Sequence, residues 1–203
     1  MGIIQKTLPV KLIVGILTSI PDLLPETEKA LTTCFGTIDA RSEIFLFDWT
    51  EYYAEKMGSP LYRRFFGFSE LIEAPAVVDA KIATNELEAY MSGKHTSVQR
   101  PINLDPGYLE QSKIVLASTK NFFHRILIDR GIYAETTLHF QGRRWKSFPW
   151  TFPDFGSGKY DEFFTTLRDS YRRQLNVAGF EIRIPKTPRR KGESRVHPTA
   201  TSG

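Results

Sequence analysis

The stretch FFHRILIDRGIYAETTLHFQGRRWKSFPW, residues 122–150, decides the fold. Two β-rich runs, FFHRILI and IYAETTLHF, flank Asp129-Arg130-Gly131. That pattern predicts a hairpin with a three-residue loop and Gly131 in the left-handed region. The second arm alternates cleanly. Ile132, Ala134, Thr136, Leu138 and Phe140 share one face, and Tyr133, Glu135, Thr137 and His139 the other. Gln141-Gly142 then turns the chain into a third strand, Arg143 to Trp150, completing a C-terminal β-meander.

Upstream, Val10–Leu17 (VKLIVGIL) is apolar almost throughout and β-branched, as expected for a strand covered on both faces. Pro25–Cys34 predicts a helix closed by Gly36. Ser42–Trp49 (SEIFLFDW) predicts a second strand and Tyr62–Phe68 a third. Pro75, favoured in a first turn, opens a helix to about Met91. In NLDPGYLEQSKIVLAS, residues 103–118, Asp105 is a good N-cap and Pro106 a good first helical residue, so a helix reaching Ser118 is expected. Downstream, Tyr160, Phe163, Phe164, Leu167, Tyr171 and Leu175 keep helical spacing, and Glu181–Ile184 predicts a short strand. The sum is a single α+β domain over residues 1–184. Its sheet is mixed or largely antiparallel, with three or four flanking helices.

The net charge of +4 suggests nucleic acid until its location is considered. Residues 185–203 hold Lys186, Arg189, Arg190, Lys191 and Arg195 against Glu193 alone, so totals of 27 basic and 23 acidic residues fall to 22 of each in the remainder. The body is neutral, and the proline- and hydroxyl-rich tail is expected to be disordered. A single cysteine, Cys34, excludes an intramolecular disulfide framework, and its neighbours Leu31 and Phe35 predict a buried, unreactive thiol. No apolar run approaches the length of a membrane span, and nothing after Val10–Ile20 resembles a signal-peptide cleavage site. A cytoplasmic protein, with no membrane partner, is expected.

Candidate functional residues gather in three places. On the predicted helix from Pro75, Asn85 falls among apolar positions with Lys81 at the margin, and Glu86 stands beside it; a buried amide or lysine needs partners. In the Asn-Leu-Asp-Pro-Gly-Tyr turn, Asn103, Asp105 and Tyr108 surround an expected helix N-terminus, which presents free amides to an anion. On the hairpin, strand alternation sends His124 and Arg125 to opposite faces, whereas Tyr133 and Glu135 share one as a tyrosine–carboxylate pair. These readings assign acid–base roles to His124, Glu135 and Asp105, anion binding to Lys81 and Arg125, and orientation to Asn85 and Asn103. Glu86, Tyr108, Lys113 and Tyr133 complete the expected ligand-binding set. Arg63 and Arg64, after Tyr52-Tyr53, suit a phosphate or carboxylate, or a solvated strand end equally well.

Motifs of known chemistry are missing. Gly156-Ser157-Gly158-Lys159 resembles the end of a phosphate loop, but the earlier glycine is absent and Tyr160 replaces the required hydroxyl residue. No dinucleotide fingerprint, metal-spaced histidines or nucleophile elbow occurs, so no metal and no cofactor is assigned.

Taken in order, VKLIVGIL, FLFDWTEYYAEKMG, KIATNELE, RPINLDPGYL, KIVLASTKNFFHRILIDRGIYAETTL, PWTFPDF and FFTTLRDSYRRQL resemble a bacterial family known as domain of unknown function 4416, over about residues 8–176. The resemblance implies no reaction and transfers no catalytic residue. Some members carry a GTP-binding label, which the missing phosphate loop does not support here. The sequence therefore predicts a small cytosolic enzyme or ligand-binding protein acting on an anionic small molecule, such as a nucleotide or phosphorylated metabolite. The alternative is a noncatalytic RNA- or protein-associated module anchored by the tail.

Overall fold

A computed structural model describes residues 6–181. Nine strands form one sheet: β1 (Val10–Thr18), β2 (Ile38–Arg41), β3 (Phe45–Phe47), β4 (Leu61–Ile72), β5 (Ile102–Leu109), β6 (Lys113–Ser118), β7 (Ile126–Asp129), β8 (Ile132–Gln141) and β9 (Arg144–Ser147). Their path is β2-β4-β1-β5-β6-β8-β7, with β3 on β4 and β9 on β8, and every pairing is antiparallel. Helices α1 (Leu24–Phe35), α3 (Val77–Lys94) and α5 (Asp161–Val177) do the covering; α2 (Ala54–Met57) and α4 (Pro153–Gly156) are single turns. The chain is a single α+β domain with an antiparallel sheet.

The continuous apolar character of VKLIVGIL follows from the layering. Leu12, Val14 and Ile16 pack with Leu24, Leu31, Ala80 and Met91 on the α1/α3 side. Ile13 packs with Phe164, Leu167, Tyr171 and Leu175 of α5 on the other. Helix α5 approaches closely because Gly67 has no side chain; a Cβ there would lie 2.7 Å from Leu167 Cδ1.

The helix expected over residues 105–118 is absent; β5 and β6 stand there instead. Local capping chemistry loses to pairing, since β5 lies along the whole of β1, from Lys11 opposite Leu109 to Thr18 opposite Ile102. Gly107 lets β6 approach, because a Cβ would sit 2.2 Å from the Val115 carbonyl oxygen. Pro106 is tolerated inside the sheet because β6 pairs only from Gly107 onward. Its missing N–H falls on the flank that β6 has left.

The hairpin turns in two residues rather than three. Asp129 faces Ile132, and Arg130 (φ 46°) with Gly131 (φ 75°) both occupy the left-handed region, as a type I′ turn requires. Residues 122–125 form a turn instead of strand, closed by the Arg125 N–H donating to the Phe122 carbonyl at 2.9 Å. The face assignment on β8 also changes midway. Ile114 opposes Leu138 but Val115 opposes Thr136, so Thr137 is a bulge residue. Ile132 consequently packs with Val77 and Val78 of α3, Leu138 with the α5 core, and Glu135 and Thr137 are buried.

Because β6 holds one flank of β8, β7 and β9 share the other, one at each end. Side chains after β9 fill the gap: Trp150 Nε1 donates to the Thr136 carbonyl at 3.1 Å and Thr151 Oγ1 to that of Thr137 at 2.6 Å. The predicted strands 42–49 and 143–150 contract to β3 and β9, and β2 was not anticipated. Cys34 is exposed, not buried, since it lies on the outer side of α1. The strand expected at Glu181–Ile184 and the tail lie outside the described residues beyond Glu181. Among the described residues no helix is long and apolar enough to cross a membrane.

Candidate functional site

The sheet splits in its middle. Strands β5 and β6 are joined only through Gly107–Leu109 and Ile114–Leu116, so the first half of β5 and the end of β6 diverge. An open strand flank leaves backbone groups to be satisfied, and α3 supplies the partners. Lys81, buried, donates from Nζ to the Leu104 carbonyl at 2.9 Å, and the Leu104 N–H donates to Glu88 Oε1 at 2.7 Å. The other oxygen of Glu88 accepts from Arg100, Nε at 3.1 Å and Nη2 at 2.6 Å. Lys81, Asn85 and Glu88 follow at intervals of four and three, hence on one helix face.

Over the opening lies a shallow cleft of about 490 Å³, lined by Lys56, Asn85, Glu88, Gln99, Arg100 and Thr119 among others. At its rim Lys120 Nζ donates to the Tyr52 hydroxyl at 3.3 Å and lies 5.3 Å from the centre of that ring. The Tyr52 phenol is held below its ordinary value, first by the Lys120 hydrogen bond and charge and then by Lys56 and Arg100. Neither Lys56 nor Lys120 has a carboxylate at ion-pair distance among the described residues.

On the opposite face of the sheet a polar band runs through otherwise apolar packing. Arg63 of β4, its side chain 5% exposed, donates from Nη1 to Asp105 Oδ2 at 2.8 Å. It crosses β1 above Gly15, where a Cβ would come within 3.3 Å of Nη1. Asn103 Nδ2 donates to the same carboxylate at 2.9 Å, and Asp154 lies 3.5 Å from Arg63 Nη2. Burial by itself would raise the Asp105 carboxyl, but Arg63 and Lys81 override it and hold the group low. At Asp154 burial wins over Arg63, and the carboxyl is raised.

The band resumes across the split. Glu135, buried, accepts from Arg125 Nε at 2.6 Å and from Thr137 Oγ1 at 3.3 Å, and meets His124 Nε2 at 3.0 Å. Arg125 Nη1 donates to Ser118 Oγ at 2.8 Å and to the Lys120 carbonyl at 3.1 Å. Glu135 therefore holds Arg125, and Arg125 holds the Ser118–Lys120 segment, which presents Thr119 to the cleft and Lys120 to Tyr52. The His124 ring is stacked on Phe122 (6.0 Å, 11°) and on Trp150 (5.4 Å, 9°), and its buried Nδ1 has no hydrogen-bond partner among the described residues. His124 and Arg125 thus reach one carboxylate from a turn, where strand alternation had sent them to opposite faces.

Other expected site residues are scattered. Lys81, Asn85, Asn103 and Asp105 surround the split. Glu86 is exposed and outside the cleft lining. Tyr108 packs against the Val77–Val78–Ala117–Ile132 cluster on the α3 side. Lys113 pairs with Glu110 at 2.7 Å, at the other end of β6. Tyr133, half-buried opposite Ser118, shares the face of Glu135 without a hydrogen bond to it. Sequence reasoning missed Glu88, Arg100, Lys56 and Tyr52. Only Glu88 had a legible signal, its seven-residue distance from Lys81. Among the described residues no three His, Cys, Asp or Glu side chains gather as metal ligands.

No curated protein and no solved structure matches the chain. A family model does, over residues 8–171, a span that takes in β1, the split, the cleft and the Glu135 clamp. The chain belongs to the family defined as domain of unknown function 4416.

Proposed function

We propose that this is a cytoplasmic protein that binds an anionic small molecule in the cleft over the β5–β6 split. The observation that carries the reading is a set of cations around the opening. Among the described residues Lys56 and Lys120 have no carboxylate partner, and Arg100 shares Glu88 with a backbone N–H. An anion supplies the charge these groups lack, and Asn85, Gln99 and Thr119 offer hydrogen bonds to its oxygens. Lys81 and Asp105 are structural in this reading. Glu135 and Arg125 are positioning residues, and His124, whose Nε2 meets Glu135 and whose Nδ1 is buried, braces the same carboxylate.

The test is a thermal-shift series with inorganic phosphate, nucleoside monophosphates, sugar phosphates and dicarboxylates. A ligand at a hundred times its Kd adds about 2.7 kcal/mol. That moves the midpoint by roughly 5–10 °C for a chain of this size. The double variant Lys56→Ala/Lys120→Ala, two exposed positions, should unfold like the parent and lose the shift. A panel that shifts nothing, or a shift that survives the double substitution, refutes the assignment.

A further inference from the structure

Beside the cleft stand three large rings that packing leaves open: Tyr52 is 69% exposed, Phe122 51% and Phe123 91%. Isolated exposed aromatics need no explanation, but Phe122 and Phe123 are consecutive, and Lys120, two residues before them, ties Tyr52 to the same segment. Lys120 lies over Tyr52, and the Phe122 ring rests on Arg125, whose Cζ is 4.9 Å from its centre and whose charge is met by Glu135. Each ring is also braced from beneath. Tyr52 meets Tyr53 edge-on at 5.1 Å, Phe122 stacks on His124, and Phe123 meets His124 edge-on at 4.9 Å. The column continues inward through Trp150 to Phe148, 4.9 Å apart and parallel.

Rigid open rings beside a group of cations are what unpaired bases and their phosphates require. Every base has a flat face to stack, and the backbone follows positive charge. We propose that the strip Tyr52–Lys120–Phe122–Phe123 is a stacking path for single-stranded nucleic acid, with one phosphate of the strand held in the cleft by Lys56, Arg100 and Lys120. This rests on the anion-binding reading of that cleft and names the chemistry of its ligand. The aliphatic residues Ile126, Leu127 and Ile128 of β7 lie next to the rings and are also exposed. They bear on a competing occupant, a second copy of the chain. The cations Lys56, Arg100 and Lys120 beside the rings favour the nucleic acid.

The experiment is fluorescence anisotropy of the full chain with labelled oligouridine and oligothymidine of about ten nucleotides, within the span such surfaces cover. Binding should weaken steeply between about 50 and about 200 mM salt. Tyr52→Ala and Phe123→Ala should each weaken it roughly 5- to 100-fold, and Tyr52→Phe, which keeps the ring, should restore parental affinity. Phe123→Ala should leave the thermal shift produced by inorganic phosphate unchanged. The tighter of the two probes identifies RNA or DNA as the natural strand. Ring variants that bind as the parent does overturn the strip while leaving the cleft reading intact. A missing phosphate shift removes the cleft reading and the anchor with it. Equal affinity for duplex RNA, or a dimeric mass in sedimentation that Phe123→Ala abolishes, also overturns the proposal.

Discussion

Glu135→Ala isolates the clamp that connects β8 to the cleft. In the folded protein the Glu135 and Arg125 side chains are only 2% and 6% exposed, and their contact is 2.6 Å. Removing the carboxylate leaves a guanidinium in the interior with Ser118 Oγ and the Lys120 carbonyl as its hydrogen-bond acceptors among the described residues, and no counter-charge at ion-pair distance. Breaking a buried pair from one side costs about 3–5 kcal/mol, because the remaining charge has lost its compensation. That is a large part of the total of roughly 5–15 kcal/mol expected for a domain, and corresponds to a midpoint lower by roughly 6–20 °C. Urea unfolding at neutral pH measures it, with an unchanged denaturant slope as the sign that only stability has moved. The double variant Arg125→Met/Glu135→Ala removes both charges and should recover at least half of the loss. It should not recover the anion-induced shift, since nothing then holds Ser118–Lys120. A cost for Glu135→Ala under about 1 kcal/mol, the scale of an exposed pair, would refute the argument, as would a double variant no more stable than the single one.

Two further predictions concern the sheet beneath the site. Gly107→Ala should cost more than the about 1–3 kcal/mol usual for overpacking, since the Val115 carbonyl that its Cβ meets is backbone and cannot step aside. Gly67→Ala should stay within that range, because the Leu167 methyl can rotate away; paired urea titrations that reverse this order refute the close-approach account. Asp105 has its folded pKa below the ordinary 3.8. Its contribution is therefore present above that value and is lost as pH falls through the lower, folded one. The stability gap between parent and Asp105→Asn should narrow on acidification below about pH 4; a gap constant from neutral pH downward excludes the Arg63–Asp105 pair as its source.

Residues 103–118 and 122–125 mark where sequence reading stopped. Asp105-Pro106 is a sound helix start in isolation, and no local rule distinguishes it from a strand. What removes the helix is β1, which offers its full length for pairing and lies some ninety residues away in the chain. His124 and Arg125 continue a β-rich run, yet the bulge at Thr137 and the turn at Phe122 bring both to Glu135. Neither feature leaves a periodicity to read.

The sequence by itself determined the covered central strand, the helices starting near Pro25 and Pro75, the amphipathic α5 and a hairpin turning through Gly131, though not its two-residue loop. All of these rest on local propensity or on burial periodicity, which repeat within a few residues; the family was legible separately, from the order of whole sequence blocks. Only the tertiary structure decided the split between β5 and β6, the use of Lys81 and Glu88 as stand-ins for a missing strand, and the cations left around the opening. Those depend on which distant groups lack a partner once the sheet has formed, and a chain read residue by residue does not contain that information.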